Sequence, residues 1–263
     1  MPGPTPATGR KKSPTTPRKT RRSSANRIAI LAAVLSLVAL ANAAHAADAP
    51  IERSVFISPE IAASIFVTDK GEWTSANGAF DSRDVHTGDY NVLLMPAATF
   101  GYARTPWTMG LRFGFPVQWV NLDLPGGETA AGTMTFMELG VQATYDLVGD
   151  ANRRAYLLAA VSFNANGETE LDIRDRDDRQ LASRTFETDR QMRNLRFLVG
   201  GGYDWKISPD FSAGLLGYGM ISTVDLVSTD EETDGAGGAG EESLELTIYS
   251  VLIGARCRFD LRL

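Results

Sequence analysis

The chain has 263 residues, enough for one sizeable domain, with 43% hydrophobic residues, 26 Lys and Arg, 32 Asp and Glu, and a formal net charge of −6 at pH 7. The acidic balance argues against nucleic acid, which needs basic surface, and the single Cys257 excludes an internal disulfide. Beyond the N-terminal segment no apolar run approaches the ~20 residues that a membrane-spanning helix requires.

Residues 1–46 read as a cleaved signal peptide. Arg10, Lys11, Lys12, Arg18, Lys19, Arg21, Arg22 and Arg27 form a basic n-region, long and rich in Pro and Thr. Ile28 to Leu40 is an apolar core too short to span a membrane, and Ala44-His45-Ala46 offers a cleavage site before Ala47. Arg21-Arg22 is followed by Ser23-Ser24, where a twin-arginine signal carries apolar residues. Cleavage removes eight basic residues and no acid, so 26 less eight leaves 18 Lys and Arg against 32 acids, a net charge of −14. No Cys marks a lipoprotein cleavage site. Residues 47–53 form a short periplasmic lead.

From residue 54 the hydrophobic period is two, the period of a strand with one apolar face. The first strand is expected at Ser54 to Val67, with Val55, Ile57, Pro59, Ile61, Ala63, Ile65 and Val67 on one face and Phe56, Ser58, Glu60, Ala62, Ser64 and Phe66 on the other. Thr68 to Asp89 reads as a polar loop. Strand two follows at Tyr90 to Ala103, interrupted by Pro96, and strand three at Trp107 to Asn121, with Trp107, Met109, Leu111, Phe113, Phe115, Val117 and Trp119 together. A Gly-rich loop, Leu122 to Gly132, leads to strand four at Thr133 to Leu147 and strand five at Arg154 to Asn166. The charged stretch Gly167 to Arg190 reads as a long loop, able to extend its flanking strands as a hairpin. Strand six is Gln191 to Lys206 and strand seven Phe211 to Val227; Ser228 to Glu242 is a flexible acidic loop. The eighth strand, Tyr249 to Leu263, alternates to the last residue, and the first strand is its partner.

The fold class is therefore all-β: an eight-stranded antiparallel transmembrane β-barrel at 54–263 behind a signal peptide. In hydrocarbon a sheet must close on itself, because unpaired backbone groups find no water. The apolar faces carry almost no charge, and charge at the midplane of a lipid face costs about 2–4 kcal/mol. Glu60, Arg112, Glu138, Arg196, Arg256, Arg258 and Asp260 fall on the opposite face, with Gly110, Gly114, Gly140, Gly200, Gly202 and Gly254 relieving crowding. Eight strands enclose an interior that side chains fill. The lumen is expected to be closed or very narrow, with Arg112, Arg196 and Arg256 pairing with Glu60 and Glu138 and Arg258 facing the same acids. Long and short connections alternate, which puts both termini in the periplasm and four long loops outside. A soluble β-sandwich or lipocalin-like barrel is the alternative fold, but a lipocalin would turn its apolar face inward and its polar face to water.

The hairpin Tyr203-Asp204-Trp205-Lys206-Ile207-Ser208-Pro209-Asp210-Phe211-Ser212, with the signal peptide and the eight alternating strands, resembles the small outer-membrane β-barrels of Gram-negative bacteria, of the OmpA, OmpX and OmpW type. The resemblance covers residues 54–263 and is to an architecture. It implies outer-membrane lipid and lipopolysaccharide as surroundings and the barrel-assembly machinery as partner during insertion. The chain ends in Leu263, where those barrels carry Phe or Trp, and no peptidoglycan-binding domain is expected after the barrel.

Three function classes stay open: a structural or surface-interaction barrel, a narrow channel for ions or small apolar molecules, and a lipid A-modifying enzyme. The first is the expectation. The one His of the mature chain, His86, lies in Asp84-Val85-His86-Thr87-Gly88, with Gly88 where a His-x-Ser pair needs Ser. No cofactor or metal is implied. Asp172, Asp175, Asp177 and Asp178 are interleaved with Arg174, Arg176 and Arg179, and neither they nor Asp230, Glu231 and Glu232 follow an EF-hand spacing.

Overall fold

A computed structural model describes residues 53–74, 83–87, 91–124, 127–149, 152–188, 194–228 and 243–263. The expected signal peptide, nearly all of the periplasmic lead and all but the first residue of the acidic loop lie outside these residues. Eleven strands form: β1 Arg53–Thr74, β2 Arg83–Thr87, β3 Val92–Arg104, β4 Trp107–Gly114, β5 Val117–Asp123, β6 Thr129–Gly149, β7 Arg153–Arg174, β8 Gln180–Thr188, β9 Leu195–Ser208, β10 Phe211–Ser228 and β11 Ser243–Arg262.

Every pairing is antiparallel. β1 pairs with β3, β3 with β4, β4 with β6, β6 with β7, β7 with β9, β9 with β10, β10 with β11, and β11 with β1, so the ladder returns to its start. At the seam the two terminal strands meet from Ser54 opposite Arg262 to Thr74 opposite Ser243. β2, β5 and β8 carry the same wall further: β2 lies between β1 and β5, β5 between β3 and β6, and β8 between β7 and the end of β10.

Eleven strands thus stand where alternation predicts eight. Proline explains one addition. Pro116 has no N–H to give a ladder, and it splits the expected Trp107 to Asn121 strand into β4 and β5. Phe115 N–H still donates to the Pro96 carbonyl at 3.0 Å, and Phe136 N–H to the Pro116 carbonyl at 3.1 Å, which keeps the wall continuous past the break. The other two, β2 and β8, occupy stretches that read as loops. β1 runs seven residues beyond Val67, and β7 and β8 convert most of Gly167 to Arg190 into a hairpin around a tight turn at 175–179. The loop expected at Leu122 to Gly132 shrinks likewise, because β5 reaches Asp123 and β6 starts at Thr129.

Two rows show how the wall sorts its side chains. Ile57, Phe100, Leu111, Val141, Val161, Phe197 and Ile221 are successive cross-strand partners around the barrel, and all are exposed on its outer surface. One residue along, Ser58, Thr99, Arg112, Gly140, Ser162, Arg196 and Ser222 are partners in the same way, and these point inward. Each arginine of the inner row is flanked by small residues, which leaves room for its guanidinium.

One face assignment is corrected. The register of β1 shifts between Ser64 and Phe66, so Ile65 and Phe66 both face outward and Val67 turns inward and is buried. Past this bulge the polarity of the wall reverses. Thr68, Lys70, Glu72 and Thr74 face out, while Val67, Asp69 and Trp73 face in. The inside of this upper section is apolar: Val85, Leu122, Ala130, Leu171, Phe186, Leu226, Leu244 and Leu246 are all buried there, and Trp73 of β1 meets Phe186 of β8 edge-on at 5.4 Å between ring centroids.

Candidate functional site

The interior of the barrel is where the chain concentrates charge. Inward positions of four strands bring Glu60 (β1), Arg112 (β4), Glu138 (β6) and Arg196 (β9) together, all four essentially without solvent exposure. Arg112 Nη1 pairs with Glu60 and also donates to Gln142 Oε1 at 2.8 Å, and Arg112 Nε donates to Glu138 Oε1 at 3.0 Å. Arg196 Nη1 reaches the other oxygen, Glu138 Oε2, at 3.0 Å, and the Ser162 hydroxyl donates to Glu138 Oε1 at 2.7 Å. Glu138 is therefore the hub, holding two guanidiniums and one hydroxyl. Two arginines against two glutamates make the cluster electrically neutral. It is not fully satisfied: Glu60 Oε2, Arg112 Nη2 and Arg196 Nε have no hydrogen-bond partner among the described residues.

Arg256 does not join this cluster, although it lies opposite Glu60 in the β1–β11 register. It turns the other way and grips Asp204 of β9 with two bonds, Nε to Oδ1 at 3.0 Å and Nη2 to Oδ2 at 2.5 Å. Gly214 is the reason. It sits between the two on β10, opposite Asp204 on one side and Arg256 on the other, and a Cβ there would lie 2.3 Å from Asp204 Oδ1. The missing side chain lets the pair close across an intervening strand. Arg154 extends the group, donating to Asp204 Oδ2 at 3.0 Å and approaching Asp146 Oδ1 at 3.5 Å, and the Arg256 guanidinium lies 3.7 Å from the centroid of the Tyr156 ring.

Arg258 likewise departs from expectation. It pairs with Asp260, two residues on in its own strand, at 2.5 Å, rather than with Glu60 or Glu138. Residues two apart on a strand share a face, so the nearest carboxylate is the local one. Ser54 donates to the same Asp260 at 2.7 Å, and Arg258 covers the Phe56 ring. The seven expected interior residues thus fall into three groups: Glu60, Arg112, Glu138 and Arg196; Arg256 with Asp204; and Arg258 with Asp260.

Asp204, Arg154, Asp146 and Gln142 are the partners that residue type alone did not single out. Parity could have found Asp204, which shares the inward face of its strand with Arg196. Higher in the barrel Asp69 is buried and accepts from Asn91 Nδ2 at 2.6 Å and from Gln118 Nε2 at 3.1 Å.

Among the described residues Asp69 is the one buried carboxylate above the central cluster, held by the neutral amides of Asn91 and Gln118, and the other buried side chains around and above it are mostly apolar. Leu93, Met95, Leu198, Met220 and Leu252 are buried and belong to the same apolar cluster as Trp73 and Phe186, and Met95 touches the central network through its sulfur, 3.7 Å from Arg196 Nη1. The described interior therefore combines a buried polar network with an apolar cluster packed against it.

The other candidates lie outside this core. His86 is exposed on β2, opposite Lys70 on β1 and Asp123 on β5. In the 175–179 turn, Arg174 pairs with Asp178 at 2.9 Å on the surface, and the Asp175 carboxylate accepts backbone N–H bonds from Asp177 and Arg179. Such exposed pairs shape a turn and contribute little energy. Among the described residues no group of three or more His, Cys, Asp or Glu could hold a metal ion. Asp230, Glu231 and Glu232 lie outside the described residues.

A closed antiparallel sheet, an apolar exterior and a charged, desolvated interior make the architecture that of a small outer-membrane β-barrel. No family model matches the chain, and no curated protein is similar to it in sequence. Among solved structures it is similar to the outer membrane protein OprG from Pseudomonas aeruginosa (10% identity, TM-score 0.46, 80% of this chain and 97% of that one). It is also similar to the outer membrane protein AlkL in lipid bilayers (12%, 0.43, 83% and 95%) and to Neisserial surface protein A (10%, 0.36, 79% and 97%).

Proposed function

We propose that the protein is a sealed outer-membrane barrel with a structural or surface-interaction role. The eleven strands are read as eight staves: β2 continues β3, β5 continues β4, and β8 continues β9. Both termini then lie in the periplasm, and the β7–β8 hairpin and its neighbours stand outside the cell, beside lipopolysaccharide. Insertion by the barrel-assembly machinery fits the amphipathic last strand. His86 has no catalytic part in this reading, and no cofactor is required.

One observation carries the proposal. The charges of the central cluster bond to one another, Asp69 above them is held by Asn91 and Gln118, and the rest of that upper section is lined by apolar side chains that include Trp73 and Phe186. An ion crossing the barrel would have to break buried ion pairs and then pass an apolar core, and each step carries a large desolvation cost. Planar-bilayer recording tests this. The full chain should give no steady conductance, and a sustained open current would overturn the sealed-lumen reading in favour of a channel. Trypsin added to intact cells tests the orientation separately: cleavage at the exposed Arg176 or Arg179 of the 175–179 turn is expected, and protection of that turn would reverse the orientation.

A further inference from the structure

The two ends of the wall carry opposite charge on their outer surfaces. The end with the β7–β8 hairpin is acidic: Glu72, Glu168, Glu170, Glu187 and Glu245 are exposed there. The other end is basic, with Arg53, Arg104, Arg153, Lys206 and Arg262 all exposed. Of these five, Arg262 is held locally, 3.5 Å from Asp210 and bonded to the Pro209 carbonyl. The other four form no ion pair with a carboxylate among the described residues.

Two of the four are placed against each other. Arg53 opens β1, Arg104 closes β3, and they are direct cross-strand partners. Both side chains are exposed, and both continue the outward face of their strands, after Val55 and Tyr102. Like charges directly opposite on one face of a strand pair destabilise it. Among the described residues no Asp or Glu side chain pairs with either arginine, and on the other flank of Arg53 the Leu263 N–H donates to its carbonyl at 3.2 Å. On its far side Arg104 is the partner of Trp107, whose ring stacks edge-on against Tyr145 at 4.7 Å. Two guanidiniums thus share the outward face just beyond the apolar band, beside the half-buried Trp107, a ring type that settles among lipid headgroups, with Tyr145 buried behind it. Guanidinium forks suit a phosphate diester, which a pair of arginines can hold with several charge-assisted bonds.

We propose that Arg53 and Arg104, with Trp107 beside them, bind the phosphate of an anionic phospholipid headgroup at this rim. The rim faces the periplasmic leaflet on the orientation proposed above, and that leaflet rather than lipopolysaccharide then supplies the ligand. The repulsion built into the pair becomes an attraction for one shared anion, and the site anchors the depth of the barrel at its basic end.

Native mass spectrometry of the full chain in a zwitterionic detergent, titrated with phosphatidylglycerol, tests the site. The double variant Arg53→Gln/Arg104→Gln should bind this lipid about tenfold more weakly, while Arg184→Gln at the acidic end should leave binding unchanged. A thermal-unfolding arm separates binding from structure. Without anionic lipid, Arg104→Gln should raise the melting temperature by relieving repulsion; with phosphatidylglycerol present it should lower it relative to wild type. Loss of stability to the same extent in both conditions would assign Arg104 a structural role and overturn the proposal. Equal lipid retention by the double variant would do the same. Displacement of phosphatidylglycerol by millimolar inorganic phosphate, or stronger retention of lipid A, would name another ligand and also refute it. Trypsin cleavage in cells reports the orientation independently, so an inverted barrel is distinguishable from an empty site.

Discussion

Glu138→Gln is the sharpest perturbation of the interior. The wild-type carboxylate receives Arg112 Nε and Arg196 Nη1 at 3.0 Å each and the Ser162 hydroxyl at 2.7 Å, with no exposed surface. Glutamine preserves the shape and removes the charge. Two buried guanidiniums then share Glu60 alone, in a cluster that already holds partnerless polar atoms on both arginines. Removing one partner of a buried ion pair costs about 3–5 kcal/mol, because the remaining charge is left uncompensated. Urea unfolding in phosphocholine bilayers, followed by Trp fluorescence, should show a loss of that size. Adding Arg196→Met restores neutrality, with one arginine facing one glutamate, so the double variant should be more stable than the sum of the two single changes predicts by at least about 1 kcal/mol. A single-variant loss below about 1 kcal/mol, or strict additivity in the double, would refute the network as the core of the fold. Conductance should stay absent in Glu138→Gln, because the seal is placed in the apolar section and not in the charge network.

Phe186→Ala removes a fully buried ring that meets Trp73, and large-to-small changes of this kind cost about 3–5 kcal/mol, here read as faster proteolysis of the β7–β8 hairpin and a lower melting temperature. Gly214→Ala should destabilise clearly, since its Cβ would press on Asp204 and on the Tyr203 carbonyl, whereas Gly219→Ala, whose Cβ would make only an ordinary contact with the Val199 carbonyl at 3.9 Å, should stay within about 0.5 kcal/mol of wild type. Equal effects of the two alanines in the same unfolding assay would contradict the closure of Asp204 on Arg256 across β10. Leu111→Arg, in the exposed apolar row, should cost about 2–4 kcal/mol in a bilayer, while Thr74→Arg at the upper end of β1 should be near neutral; equal costs would mean that no lipid boundary lies between them.

The transmembrane part of the wall was legible because it obeys a strict period of two. Trp107 to Trp119 declares its faces residue by residue and places Arg112 inward, and the same alternation in β1, β6 and β9 places Glu60, Glu138 and Arg196 with it. The pairing inside the barrel was less legible. Register across neighbouring strands puts Arg256 opposite Glu60, yet a guanidinium reaches several residues' distance, and the absence of a side chain at Gly214 directs it to Asp204 instead. Such a choice depends on which small residues lie between two long ones in three dimensions, and linear spacing does not carry that. The bulge at Ile65 and Phe66 was hidden for a similar reason. An inserted residue leaves the composition of the strand unchanged while exchanging the faces of all that follow, so Val67 reads as outward until the register with β11 is known.

The upper section read as loop for a more general reason. A strand that leaves the bilayer passes from one solvent to another, and the rule for its faces inverts with the solvent. In hydrocarbon the apolar face turns out and charge is buried within; in water charge turns out and the apolar face is buried. β1 holds both regimes in one continuous strand, Ile57 and Ile61 outside with Glu60 inside, then Lys70 and Glu72 outside with Trp73 inside. A reading tuned to the lipid pattern meets Lys70-Gly71-Glu72-Trp73 and finds neither an apolar exterior nor a charged lumen, so it stops. The same inversion supplies the apolar section on which the proposed seal rests. Beyond the bulge the described wall is built as a water-soluble barrel is, with its own apolar core, and on the reading proposed above an ion that enters at that end meets this core before it reaches the charges.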